Sequence, residues 1–422
     1  MPMITRTLNR FFRDKPVQNL AVYGVGQAFN LITPLLVIPY IISVCGLANY
    51  GKAAIGMAMV FFLMVFVDYG SDISGVRAVS TNRENPVAIR KIAVTTFTAK
   101  FLLLLVILAL ISILFVTVPY FRHESKLFFL GLPILVGQFL NPTWFLQGIE
   151  NFKQITLVNI LSKLVYLGGV LCCVTEPSDF IYINLWWGIG MITANGISFL
   201  YIVKCFNLQF SEVRKSDVKE HIVTGFPIFS SQIFVAMQLY SPLILIGFLT
   251  NGALAGAYRV VDQVIVIFKT YLLLFFNFAF PRVCYLLGGN PADGTRFWLL
   301  YNGGNFIFIV MAMTGVFCFA DEIVNYFHPG DPVVIVRLLR IAVWIPLVMA
   351  VSVPLKQLVL GFSFNRFYVN VTIALALLNV FAIAIILPIM GIEGVIYCLI
   401  SIEVVTIILF YLKIKNRLFL AR

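Results

Sequence analysis

The chain has 422 residues, of which 61% are apolar and 11% charged, where an average soluble protein is roughly half apolar and a quarter charged. A soluble fold of that composition would expose apolar patches far beyond what water tolerates, and its 29 glycines and 18 prolines show no period, so soluble globule, coiled coil and collagen are all excluded. The formal net charge of +12 comes from 30 Lys and Arg set in short clusters between apolar runs, which is a membrane-topology pattern and not a nucleic-acid patch.

Breaking the sequence at charge clusters and at Gly and Pro turns predicts twelve membrane-spanning helices, near 17–44, 51–73, 90–118, 127–147, 155–174, 180–204, 222–249, 252–281, 297–320, 332–361, 367–389 and 391–412. The first follows Arg6, Arg10, Arg13 and Lys15 and is too long for a signal-peptide core, so it reads as a retained span. The last two are divided at Met390 to Gly394 because one apolar run of that length would cross a bilayer twice. Twenty Lys and Arg fall in one set of loops, while only Lys52, Arg122 and Lys126 fall in the other set, which gathers Glu176, Asp179, Asp321, Glu322 and Asp331. The basic set is expected to face the cytoplasm, with both termini on that side. The longest loop, 205–221, has no room for a catalytic domain and is the expected connector between an N-lobe of residues 1–210 and a C-lobe of residues 211–422.

A shift of 208 residues lays Pro34-Leu35-Leu36-Val37-Ile38 on Pro242-Leu243-Ile244-Leu245-Ile246, Asn30 on Gln238 and Tyr50 on Tyr258. Six spans per repeat would insert both copies the same way up, as in two-lobed transporters. Asn30, Pro34 and Pro39 in span one, Asn141-Pro142 in span four, Pro242 in span seven and Pro354 in span ten are expected to kink or break their helices, which makes spans one and seven gate candidates.

Ionised side chains deep in a bilayer cost roughly 2.5–3.5 kcal/mol each, so they mark pathways. Lys100 and Lys163 lie within spans three and five, Glu403 within span twelve, and Arg340 in span ten. Span eight carries a stripe of Arg259, Asp262, Gln263, Lys269 and Thr270. Arg259 and Asp262, at i and i+3, either neutralise each other or line the same path. Lys100, Lys163 and Lys269 have no acid within one turn, so these five cations are expected to line an electropositive, water-filled cavity for an anionic cargo. Asn30, Asp68, Asp72, Asp262 and Glu403, with Pro34 and Pro242, are the coupling and gating candidates. The seven cysteines and the three histidines, His123, His221 and His328, have no metal-ligand spacing; the cysteines read as small buried hydrophobes, and neither a metal nor a cofactor is expected.

The stretch Pro142-Thr143-Trp144-Phe145-Leu146-Gln147-Gly148-Ile149-Glu150, followed by Ile155, Asn159 and Ser162-Lys163, resembles the span-four exit motif of Wzx-type O-antigen flippases, in the polysaccharide transporter branch of the MATE-like superfamily. Asn30 with Pro34-Leu35 and Pro39-Tyr40, Gly46 with Tyr50-Gly51, and Asp68-Tyr69-Gly70 with Arg77 and Ser80 match that family's first two spans. The second half matches mainly through Gly256-Ala257-Tyr258 and Pro281-Arg282. One departure is Ser43-Val44-Cys45, where family members often carry an arginine.

The resemblance implies an all-α polytopic fold of two six-helix lobes in a V, alternating between inward and outward openings. Its cargo would be an undecaprenyl-pyrophosphate-linked oligosaccharide, carried from the cytoplasmic to the periplasmic leaflet of an inner membrane, head group in a cationic inter-lobe cavity. The bilayer, a polysaccharide polymerase and a chain-length regulator are the implied partners, with no nucleic acid. A MATE-type exporter of cations would call for an acidic lumen, and a membrane-embedded polymerase or ligase for a large periplasmic loop.

Overall fold

The computed structural model describes residues 15–289 and 291–420. The cations Arg6, Arg10, Arg13 and Arg422, part of the orientation argument, lie outside the described residues, as do the two chain ends themselves. Among the described residues the secondary structure is helical, with no strand.

Helices α1 (Lys15–Cys45), α2 (Leu47–Asp68), α3 (Ser71–Thr81) and α4 (Pro86–Thr117) form the first three spans. Asn85 fixes the start of α4, its side chain accepting the Ala88 N–H at 3.1 Å with Pro86 at the first helical position. One face of α4 leaves Leu102, Leu105, Val106, Leu110, Ile113 and Val116 exposed, while Ala93, Thr96, Phe97, Lys100 and Leu104 are buried. An exposed apolar stripe of that length is a lipid face, and Lys100 is turned away from it.

Short helices α5 (Pro119–His123), α6 (Ser125–Gly131), α7 (Pro133–Phe139) and α8 (Thr143–Gly148) follow, so span four is broken at Leu132 and again at Leu140 to Pro142. The break expected at Asn141-Pro142 is present, and the Asn141 side chain accepts the Thr143 N–H at 3.0 Å to restart the helix. Then come α9 (Phe152–Cys173), α10 (Tyr182–Cys205), α11 (Lys215–Leu249), α12 (Gly252–Gly289), α13 (Pro291–Cys318), α14 (Ala320–Asn325), α15 (Val333–Ala342), α16 (Trp344–Gly361) and α17 (Asn365–Leu420).

At the other prolines, expected to kink or break their helices, the helix is not broken. Pro34 and Pro39 lie inside α1, Pro354 inside α16 and Pro242 inside α11, all continuous helices. Each proline still removes one donor, freeing the carbonyl four residues earlier, which for Pro34 and Pro242 are the paired positions Asn30 and Gln238.

Eleven helical runs are long and apolar enough to cross a membrane, and the last described run, Asn365–Lys415, has 51 residues. At 1.5 Å per residue it would reach about 76 Å, more than twice a hydrocarbon core of about 30 Å. Its backbone leaves the helical region at Gly391, with φ 64° and ψ −155°, a conformation open essentially to glycine alone. That break falls within the Met390 to Gly394 stretch predicted to divide spans eleven and twelve, so the runs agree with twelve crossings. This is a multi-pass, all-α membrane protein.

The chain separates into two compact units, one holding residues up to Cys45 and Gly56–Ile233, the other Gly46–Ile55 and residues from Phe234 onward. The sequence-derived boundary at 210/211 lies just ahead of α11, inside which this division falls. The first turns of α2 go with the second unit for a steric reason. Gly252 and Gly256 make a small-xxx-small face on α12, and a Cβ on Gly51, Gly252 or Gly256 would strike the backbone of Gly252, Ala48 or Leu47 respectively.

In the first unit, α1 packs on α9, α9 on α10, α10 on α7 and α3 on α8; in the second, α16 packs on α12, α13 and α17. The motif that carries the family resemblance sits in the first unit's core, with Trp144, Phe145 and Leu146 buried against Phe97, Ile155 and Ile202. Arg83 clasps its end, donating from Nε and Nη2 to the Gly148 carbonyl at 3.2 and 2.9 Å and pairing with Glu150 at 3.0 Å. The motif is therefore a packing clasp between the exit of span four and the end of span two.

Candidate functional site: buried ion clusters in each unit

The first cluster grows from the end of α2. Asp68 is its last residue, and Tyr69 and Gly70 follow with φ of 51° and 74°, stopping one helix and starting α3. The Asp68 carboxylate accepts from Lys100 Nζ at 3.1 Å, from Gln138 Nε2 at 3.1 Å, from Ser71 Oγ at 2.7 Å and from the Asp72 backbone N–H at 3.3 Å. Lys100 is 1% exposed. Asp72 faces Asp68 and Lys100 electrostatically, and its side chain is exposed.

Lys163, on α9, is also buried, with its Nζ 3.4 Å from the ring centre of Trp187 on α10. Among the described residues no carboxylate pairs with it. A desolvated cation–π contact contributes about 2 kcal/mol or more, which offsets most of the cost of placing an ammonium at that depth.

The second cluster lies on α12. Asp262 receives Arg259 at 2.9 Å and Lys269 at 3.4 Å, and Arg259 is hydrogen-bonded to the Tyr50 side chain. Glu403, on α17, accepts from Ser352 Oγ and feels the charges of Lys269 and Lys356. Lys356 is in turn held over the rings of Phe276 at 5.3 Å and Tyr368 at 4.8 Å. The set has three cations, Arg259, Lys269 and Lys356, against the two carboxylates Asp262 and Glu403. One positive charge is left over.

Several expectations change. The inference that Lys100 and Lys269 lack an acid fails, because Asp68 reaches Lys100 from another helix and Asp262 reaches Lys269 from two turns away. Arg340 is not deep: it lies near the start of span ten, with its side chain 41% exposed and paired to Asp321 at 2.6 Å. Among the five predicted cations the structure groups Arg259 with Lys269 and leaves Lys100, Lys163 and Arg340 in separate settings. Asn30 and Pro34 are half-buried on α1 and Pro242 is buried on α11, and none of them belongs to either ion cluster. Cys172, Cys173, Cys205 and Cys318 are exposed helix-surface residues, and only Cys45 and Cys398 are buried, because lipid accepts a thiol where water would favour burying it. Gln138, Ser71, Trp187, Tyr50, Ser352 and Lys356 complete the clusters and are not among the site residues expected from sequence; of these only the aromatic Trp186-Trp187 pair carries a local signal.

The pattern of the polysaccharide biosynthesis protein family matches residues 17–285, which is more than half of the chain. The chain belongs to that family. A relative from Escherichia coli K12, named for O-antigen transport, is 22% identical over 277 residues, covering 66% of this chain and 67% of the relative. In fold the chain is similar to the lipid II flippase MurJ in an inward-closed conformation, with a TM-score of 0.71, 14% identity and coverage of 94% of this chain and 87% of MurJ. It is also similar to an inward-facing multidrug-resistance MATE transporter of the MOP superfamily, with a TM-score of 0.66, 14% identity and coverage of 93% and 98%. The expected MATE-like, flippase-like architecture is therefore the observed one, and since that fold serves both drugs and lipids, cargo must be argued from the residues.

Proposed function

We propose that this family member translocates an undecaprenyl-pyrophosphate-linked oligosaccharide, an O-antigen repeat unit, from the cytoplasmic to the periplasmic leaflet of an inner membrane. The observation that carries the reading is the surplus cation on α12 and its neighbours: Arg259, Lys269 and Lys356 exceed Asp262 and Glu403 inside a membrane protein of a polysaccharide biosynthesis family. A diphosphate is the group that such cations hold best, through charge-assisted hydrogen bonds. A cationic drug would meet the wrong sign.

In this reading Arg259 and Lys269 take the head group, Lys163 is a reserve cation, and Lys100 and Arg340 are held by Asp68 and Asp321. The lobes of residues 1–210 and 211–422 alternate in access, the chain termini face the cytoplasm, and Asn30, Pro34, Pro242, Asp68, Asp72, Asp262 and Glu403 serve gating or coupling. A polymerase and a chain-length regulator would receive the flipped unit.

The test is deletion of the gene in its host, scored by long-chain surface polysaccharide and by lipid-linked intermediate. The reading expects the polymer to be lost and the intermediate to accumulate with its sugars on the cytoplasmic side, both restored by Lys269→Arg but not by Lys269→Gln. Wild-type polymer in the deletion strain, or full rescue by Lys269→Gln at equal protein level, would reject it.

A further inference from the structure

A polar cavity lies within the first unit, lined by residues other than those of the ion clusters, and its hydrogen-bonding character differs from theirs. It has a volume of about 620 Å³ and is lined by α3, the start of α4 and the first half of α11. That volume is in the range of small-molecule sites.

Its charges cancel. Arg77 and Lys91 face Asp217 and Glu220, and Lys91 is already paired with Asp217 at 3.1 Å. Its hydroxyls are turned into acceptors by their own helices: Ser74 donates to the Gly70 carbonyl at 2.9 Å, Thr81 to Arg77 at 3.0 Å and Thr224 to Glu220 at 2.8 Å. Each spends its proton on the helix and presents lone pairs to the cavity. Asn82 likewise donates its amide to the Ala78 carbonyl at 2.9 Å. Thr96, 1% exposed, lines the same space, and its Oγ1 is buried with no hydrogen-bond partner. A buried hydroxyl left unpaired costs roughly 1–3 kcal/mol, so this one points to a ligand group that supplies its partner.

A net-neutral cavity that offers both donors (Arg77, Lys91 and the His221 ring) and carboxylate and hydroxyl acceptors suits a neutral ligand whose groups both donate and accept, as sugar hydroxyls do. A phosphate would meet Asp217 and Glu220 as well as Arg77 and Lys91, and a cation the reverse, so either leaves a net charge uncompensated where a neutral ligand leaves none. We propose that this cavity is a glycan subsite, which binds the neutral sugars of the cargo through their hydroxyls, with Glu220 as an acceptor and Thr96, whose proton is uncommitted, as a further hydrogen-bond partner. It deepens the flippase reading and rests on it: Arg259 and Lys269 take the diphosphate, and this pocket reads the sugar.

The experiment uses the purified full chain in lipid nanodiscs and three probes: the neutral oligosaccharide released by mild acid from the host's lipid-linked intermediate, farnesyl pyrophosphate, and ethidium. The oligosaccharide should bind, and Glu220→Gln and Thr96→Val should each weaken it about tenfold, the loss of one good hydrogen bond. Ala78→Phe, which fills the cavity, should abolish binding, while farnesyl pyrophosphate affinity changes less than about twofold in all three. Thermal melting checks the fold, and Glu220, being exposed, gives a variant that folds even where Thr96→Val does not. Unchanged oligosaccharide affinity in Glu220→Gln and Ala78→Phe overturns the proposal, as do equal losses for farnesyl pyrophosphate or competition by ethidium. Farnesyl pyrophosphate binding without any oligosaccharide binding overturns the glycan subsite alone; binding of neither probe overturns the flippase reading with it.

Discussion

The Asp68–Lys100 pair separates a structural charge from one that serves transport, and a double-mutant cycle makes the separation quantitative. Lys100 is 1% exposed and its ammonium lies 3.1 Å from the Asp68 carboxylate. Asp68→Asn removes the anion, keeps one acceptor oxygen for Ser71 or Gln138, and leaves an ammonium without a counter-charge, which should cost about 3–5 kcal/mol. Lys100→Met leaves the carboxylate with three remaining donors, Ser71, Gln138 and the Asp72 N–H, so its cost should be smaller, about 1.5–3 kcal/mol. The double variant Asp68→Asn/Lys100→Met exchanges a buried ion pair for a neutral one and should be close to wild type. Reversible unfolding in mixed SDS and maltoside micelles measures all four proteins. Singles whose costs add in the double to within about 0.5 kcal/mol would refute the pairing. Polysaccharide export by the double variant carries the second half of the reasoning, since a purely structural pair can be removed with export retained, and a stable but inactive double variant would return Lys100 to the transport path.

Gly391→Ala has open space for its methyl group but the wrong backbone conformation, so it should destabilise the protein by about 1–3 kcal/mol, read as a lower melting temperature; an unchanged melting temperature would count against the break. Arg83→Ala should lower the yield of folded protein, because the Gly148 carbonyl and Glu150 lose their shared donor, and Arg83→Lys should restore only part of it because a lysine cannot fork between them. Alkaline phosphatase fused after Arg122 should be active and fused after Lys153 inactive; the reverse pattern would invert the orientation.

The fold was legible because lipid leaves few choices. Apolar length fixed the spans, and the divide between the last two was forced by bilayer thickness alone, before Gly391 supplied its physical form. Charge partners were harder to read. Lys100 and Asp68 are 32 residues apart and meet only through packing, and Lys163 finds Trp187 on a neighbouring helix. A search within one helical turn cannot see either contact. The Asp262–Lys269 pair was within reach, since seven residues bring a helix back to nearly the same face. Pro34, Pro242 and Pro354 leave their helices unbroken for the opposite reason: a membrane helix surrounded by other helices can carry a missing hydrogen bond that would end a helix in water. The hydroxyl-lined cavity of α3, α4 and α11 was invisible, because Ser74, Thr81, Thr96 and Thr224 look like ordinary small polar residues until their protons are traced.

Under the proposed function, Asp262 raises the question of why a site for an anion would contain an anion. It sits between Arg259 and Lys269, 2.9 and 3.4 Å away, and all three side chains are 20–25% exposed, so the trio is reachable. Two cations without it would hold a diphosphate more tightly, yet a carrier must also let go, and binding that is too strong stalls the cycle. Under the proposed function Asp262 acts as a resident competitor, which an arriving diphosphate would replace on the two cations and which would take them back on the far side. Removing the competitor therefore improves binding and harms transport. Asp262→Asn should raise the affinity for farnesyl pyrophosphate several-fold while polysaccharide export, normalised to the amount of protein in the membrane, falls. The conservative Asp262→Glu should retain part of the export, since it keeps the charge. Weaker pyrophosphate binding in Asp262→Asn would mean that Asp262 positions the two cations for cargo instead of competing with it.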